Sequence, residues 1–318
     1  MVNKKNGIFI IVAIVLICGA FILGASSNEK FIETPSGVVS EKTSTFLNPT
    51  LVAGLDKHFI INFQPLRKKF EEIQKKYSQH TYIYFLYLNN AAWVGINERE
   101  LFASASTVKV PLAMTVYKAV ESGKIKMSDM YTLDELNLNS RFGELYKKGS
   151  GNTFTLEQLM EYMLHDSDNT ATNAISKALE RIGITDPFTE VYSEMGWEFA
   201  EIGKQSDFGK INVKTLANMF LSLYNATYIN SENSNNILKL LSETPFNEKI
   251  RSGVPEHISV SHKIGVAAGV DTFADCGIVY APQRHYILCL ASNGSDEEGA
   301  KSFMTEISKM AYEYVINN

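Results

Sequence analysis

Three cysteines in 318 residues are too few for a small disulfide-stapled scaffold. Cys18 lies inside an uncharged apolar run, which leaves Cys276 and Cys289 for the rest of the chain. The histidines (58, 80, 165, 257, 262 and 285) show no HExxH or similar ligand spacing, so neither a metal site nor a cofactor is expected. An excess of one charge sign is missing too: 30 Lys and Arg stand against 35 Asp and Glu, a formal charge of -5. That balance gives no whole-chain electrostatic case for a nucleic-acid partner. Internal repeats and low-complexity tracts are absent. With 45% hydrophobic and 20% charged residues, the chain is globular and long enough for one sizeable core or two joined subdomains.

Charge is also missing from the 19 residues Gly7 to Ala25, which follow Lys4 and Lys5. At about 1.5 Å of helix rise per residue, such a run is just long enough to cross a bilayer core. Residues 1–25 therefore predict a single membrane anchor, with the lysines inside and everything after Ala25 outside the cytoplasm. The alternative is a cleaved signal peptide, although its apolar region is usually about 7 to 15 residues. Ala25-Ser26-Ser27 is a passable cleavage site, and cleavage would make the protein secreted. Residues 26–55 are polar and turn-rich and read as a tether.

From about residue 56 the pattern changes. "HFIINFQPLRKKFEEIQKKYS" (58–78) has apolar residues at helical spacing. "TYIYFLYLN" (81–89) and "AAWVGIN" (91–97) read as a hairpin through Asn89-Asn90. From Ser106 to about Thr244 the chain is mainly helical in pattern. Strand-like runs return at "HISVSHKIG" (257–265), "FADCGIVY" (273–280) and "HYILCLAS" (285–292), before a last helix over 297–317. The hairpin register that sets Tyr280 opposite His285 also sets Cys276 opposite Cys289. A disulfide and two buried thiols both fit that placement. The fold class expected is α+β, an α/β sandwich. One antiparallel sheet is assembled from the N- and C-terminal parts (56–105 and 254–318) with flanking helices, and a helical subdomain (106–253) is inserted. A pocket between the two parts is the natural site.

Three short elements carry candidate chemistry. In Ser106-Thr107-Val108-Lys109, residues three apart share a helix face, and a desolvated lysine can take the proton that a serine must lose to become a nucleophile. The spacing alone does not make a site, since Ser27-Asn28-Glu29-Lys30 in the tether matches it as well. Ser167-Asp168-Asn169 lies between a helix opened by the Thr155-Leu156-Glu157-Gln158 capping box and a following helix, so a plain helix cap would explain it. Lys263-Ile264-Gly265 sits on a strand, where glycine lets a ligand approach the backbone.

Taken in order, these elements resemble the SxxK, SDN and KTG signature of the class A β-lactamase and penicillin-binding superfamily. The resemblance runs from about residue 56 to the C-terminus. It implies a sheet plus a helical subdomain, with Ser106 at their junction attacking a β-lactam or an acyl-D-alanyl-D-alanine peptide. It further implies that Lys109 deprotonates Ser106, alone or through a network, and that Ser167 passes a proton to the leaving nitrogen. Asn169 and Gly265 would bind substrate, and Lys263 would attract its carboxylate and tune Ser167. The backbone N–H groups of Ser106 and Val266 would form the oxyanion hole. A monomer is expected.

Two departures stand out. Ile264 replaces the usual Thr or Ser of the third motif, and no ExxLN, the source of the deacylating glutamate in class A enzymes, occurs between Asn169 and Lys263. The expected glutamate falls near Ser206, while Glu198 and Glu201 come too early. The alternatives to β-lactam hydrolysis are thus a D-alanyl-D-alanine carboxypeptidase or slowly deacylating penicillin binder, and an inactive wall-binding module.

Overall fold

The computed structural model describes residues 62–194, 209–294 and 296–318. The anchor and tether segments, 1–25 and 26–55, lie outside the described residues, as do Glu198, Glu201 and Ser206. Among the described residues, no helix is long and apolar enough to cross a membrane.

Helix α1 (Gln64–Gln74) has Pro65 in its first turn, where a missing N–H costs little, and buries Leu66, Phe70 and Ile73. It ends before the expected Ser78 because the chain turns there into the hairpin β1 (His80–Tyr87) and β2 (Trp93–Ile96). Strand β3 (Phe102–Ala103) leads through a 3-10 turn, Ala105–Val108, into α2 (Lys109–Glu121). Strands β4 (Met130–Thr132) and β5 (Thr153–Thr155) form a small ribbon before α3 (Leu156–Leu164), α4 (Asn169–Arg181) and α5 (Thr189–Glu194). The capping box at Thr155 and Gln158 is made as expected. Strand β6 (Lys210–Ile211) pairs with β3, and α6 (Val213–Tyr224) and α7 (Ser231–Ser242) complete the insertion. The chain closes with β7 (Val260–Ala267), β8 (Thr272–Val279), β9 (Tyr286–Asn293) and α8 (Glu297–Asn317).

The main sheet runs β2-β1-β9-β8-β7, antiparallel throughout, so the two ends of the chain do build one sheet around a largely helical insertion. The hairpin register sets Cys276 opposite Cys289, and the two are joined in a disulfide, one of the two states left open by the sequence. Strand β1 is apolar on both sides because both faces of the sheet are covered. Tyr82, Tyr84 and Leu86 join the core of the helical insertion, while Ile83, Phe85 and Tyr87 pack with α1 and α8. Helix α2 is buried along nearly its whole length, since "KVPLAMTVYKAVE" is apolar on every side and belongs inside.

Candidate active site

Ser106 lies in the 3-10 turn just before α2, and Pro111 explains why the helix does not start earlier. An α-helical ladder through Ser106 would need a Pro111 N–H to bond the Thr107 carbonyl, and proline has none. In a 3-10 turn residues three apart eclipse, so Ser106 and Lys109 share a side. Ser104 pins the turn, its N–H (2.8 Å) and Oγ (2.6 Å) both donating to the Gly209 carbonyl. Ala105 adopts φ 47°, a left-handed conformation that strains a non-glycine residue directly before the serine.

Lys109 is 2% exposed, and burial lowers its pKa to about 8 against the opposing pull of the Asp168 carboxylate. Its Nζ donates to the Ser167 carbonyl, to Ser167 Oγ at 3.3 Å and to Asn169 Oδ1 at 2.8 Å. No hydrogen bond joins it to Ser106. Ser106 makes no hydrogen bond to Ser167 either, so only the Lys109–Ser167 half of a relay is formed.

Asp168 is the plain helix cap that the sequence allowed. It is the N-cap of α4, with Oδ1 accepting from Ala171 N at 2.9 Å, and its Oδ2 accepts from Leu145 N at 2.8 Å. This fully buried carboxylate ties the loop at Leu145 to the start of α4, while Ser167, at φ 56°, and Asn169 face Lys109. The Asn169 N–H donates to the Phe142 carbonyl at 3.0 Å. Gly143 is obligatory beside them: its φ is +84°, and a Cβ there would lie 2.0 Å from Asp168 Oδ2.

Strand β7 forms the opposite wall. Lys263 is 2% exposed, and its pKa falls well below the usual lysine value, chiefly through burial and then through the charges of Lys109 and Lys249, with Asp275 opposing. It makes no hydrogen bond to Ser167. A Cβ on Gly265 would meet Thr107 Cγ2 at 3.0 Å and the Ser104 carbonyl at 3.2 Å. What the glycine admits is thus the chain's own serine turn, packed against β7, where the sequence suggested a ligand.

Ser106, Lys109, Ser167, Asn169 and Val266 line a single cavity of about 640 Å³, which Lys263 and Gly265 do not reach. Arg141, Phe142, Thr172 and Ile264 line it too, and among the described residues no carboxylate does. Thr172 was legible one turn along α4 from Asn169; Arg141 and Phe142 come from the loop between β4 and β5, which has no periodicity to betray it. Among the described residues, no group of three or more His, Cys, Asp or Glu is placed to hold a metal ion.

Comparison with known proteins follows the same line. The model of the family described as "Beta-lactamase enzyme family" matches residues 65–315. Beta-lactamase 3 of Bacillus cereus is 25% identical over 246 residues, covering 73% of this chain and 75% of that protein. Beta-lactamase VEB-1 of Pseudomonas aeruginosa is 21% identical over 274 residues, covering 79% and 91%. The structure of PBP-A superposes with a TM-score of 0.71 at 19% identity over 80% of this chain and 97% of its own. A beta lactamase from Xanthomonas campestris pv. campestris gives 0.70 at 19% identity over 80% and 100%. The chain therefore belongs to the β-lactamase enzyme family, with the family's sheet-and-helix fold, and is a β-lactamase-like serine hydrolase.

Proposed function

We propose that this protein is a class A-type active-site-serine hydrolase, working outside the cytoplasm, whose Ser106 is acylated by β-lactams and then freed when water hydrolyses the acyl ester. The observation that carries the reading is the convergence of Ser106, Lys109, Ser167 and Asn169 on one cavity, with Lys109 buried enough to lose its proton near neutral pH. Ser106 Oγ attacks the lactam carbonyl carbon while its proton passes to the Lys109 amine, through Ser167 Oγ. The backbone N–H groups of Ser106 and Val266 receive the oxyanion. The C–N bond then breaks, and Ser167 returns a proton to the leaving nitrogen. Asn169 holds the substrate amide. The apolar run before Ala25 supports export, as does the Cys276–Cys289 disulfide, a bond that persists in oxidising compartments.

A second reading, a penicillin-binding protein or D-alanyl-D-alanine carboxypeptidase that deacylates slowly towards β-lactams, is favoured by one observation. No ExxLN occurs between Asn169 and Lys263, and no described carboxylate lines the cavity to activate water. Incubating the full-length chain with a fluorescent penicillin, a chromogenic cephalosporin and a D-Ala-D-Ala peptide, beside Ser106→Ala, tests both. Rapid chromophore release dependent on Ser106 supports hydrolysis, and a persistent Ser106 adduct supports the second reading. No adduct and no turnover with any of the three sinks both.

A further inference from the structure

Lys263 is positioned on the third motif to meet a substrate carboxylate, yet it does not line the cavity that holds Ser106. Its side chain is buried, and its Nζ has no hydrogen-bond partner among the described residues. What covers it is aromatic. The Phe246 ring centre lies 5.7 Å from Lys263 Nζ, and the same ring packs on Phe142 with centroids 5.6 Å apart and planes at 43°. Phe142 belongs to the cavity wall and Phe246 to the loop between α7 and β7. Phe246 therefore links Phe142 of the cavity wall to Lys263 on β7.

A buried ammonium without an anion is unfavourable, and the face of a phenyl ring compensates it only weakly. The same ring touches both that cation and Phe142 of the cleft wall, behind which it lies without lining the cleft itself. Ile264, which does line the cleft, offers no hydroxyl to an incoming carboxylate. Substrate charge therefore meets an apolar barrier before it meets Lys263.

We propose that Phe246 determines substrate choice at this site. Its ring holds the position beside Lys263, so a substrate with a carboxylate next to its scissile bond gains that partner only by displacing the ring. An acyl substrate uncharged at that end binds with the ring in place. This deepens the reading in which Ser106 is acylated and rests on it for the kinetic part of the test.

Two measurements on the full-length protein separate the proposal from that reading. The first is the labelling rate of Lys263 by trinitrobenzenesulfonate, an anionic amine reagent, read by peptide mass spectrometry with exposed Lys124 as internal reference. Phe246→Ala raises the Lys263 to Lys124 labelling ratio about tenfold and Phe246→Leu raises it less, in keeping with loss of one ring pair and one cation–π contact. An unchanged ratio in both variants, each with wild-type circular dichroism and melting temperature, overturns the proposal whether or not Ser106 reacts. The second is the rate of Ser106 acylation by a penicillin against its methyl ester. The penicillin-to-ester ratio rises about tenfold in Phe246→Ala, and an unaltered ratio counts against the proposal. If labelling responds while no probe acylates Ser106 even in the wild type, the ring's cover of Lys263 stands and the acylation reading alone falls.

Discussion

If Lys109 takes the Ser106 proton, acylation must track the fraction of Lys109 that is uncharged. With its pKa held at about 8, roughly one molecule in ten carries the free amine at pH 7, against about one in three thousand for an ordinary lysine. The acylation rate should thus climb nearly tenfold per pH unit through the acid range and level off above about pH 8.5. Stopped-flow acylation by a fluorescent penicillin between about pH 6 and about pH 9.5 measures this, and Lys109→Met should lower the plateau by about 100- to 10,000-fold. The same burial has a thermodynamic signature. The unfolded chain keeps the Lys109 proton to about pH 10.5 and the folded protein only to about 8, so between those values the unfolded state binds more protons and stability rises with pH. By about pH 9.5 the gain is about 2 kcal/mol. Buried tyrosines with raised pKa values, such as Tyr117 at about 12, pull the other way at the alkaline end. The quantity to measure is therefore the wild-type gain minus that of Lys109→Met in urea unfolding. An acylation rate flat over this range, or climbing only towards pH 10, would refute the assignment of Lys109 as base, and so would a Lys109→Met protein that acylates at the wild-type rate.

Replacing Cys276 and Cys289 together by serine removes a cross-link with a sequence separation of 13 and should cost about 3 kcal/mol in urea unfolding, a loss that dithiothreitol reproduces in the wild type. Gly143→Ala combines a positive φ with a clash against Asp168 and should destabilise by about 3 kcal/mol or more, whereas Gly123→Ala, at φ +72° with nothing within 4 Å, should cost only about 1 kcal/mol. Comparable midpoints for the two would show that the Gly143 contact is not tight. Ile264→Thr restores a hydroxyl to the cleft wall and should speed acylation by carboxylate-bearing β-lactams about tenfold, the worth of one hydrogen bond to a charged group; no change in the second-order acylation constant would count against that role.

The parts of the molecule legible in the sequence are those with a local rule behind them. Period-2 runs and a short turn were enough to set Cys276 opposite Cys289, and Thr155 with Gln158 announced a helix start that is built as expected. The resemblance to a known signature grouped Ser106, Lys109, Ser167 and Asn169, and all four line one cavity. What stayed hidden depends on the tertiary path. Arg141, Phe142 and Phe246 come from loops, where neighbours are chosen by the folded shape and no period marks the inward side. The burial of Lys263 under Phe246 joins residues from two such places, and nothing near Lys263 in the chain signals it. Ala105 and Ser167 hold left-handed backbones in residues that disfavour them, so the usual glycine marker is missing at both.

The sheet divides the interior in two. Phe85, Phe303 and their neighbours fill the side towards α1 and α8, while the cavity belongs to the other side with α2 and α4. Changes on the α1 and α8 side should act on how many copies of the protein survive folding and surveillance, leaving each surviving copy with its chemistry intact. Changes on the opposite side act on abundance and chemistry at once. Selection can therefore adjust the dose of this protein separately from its specificity, by drift on the face that never meets a substrate.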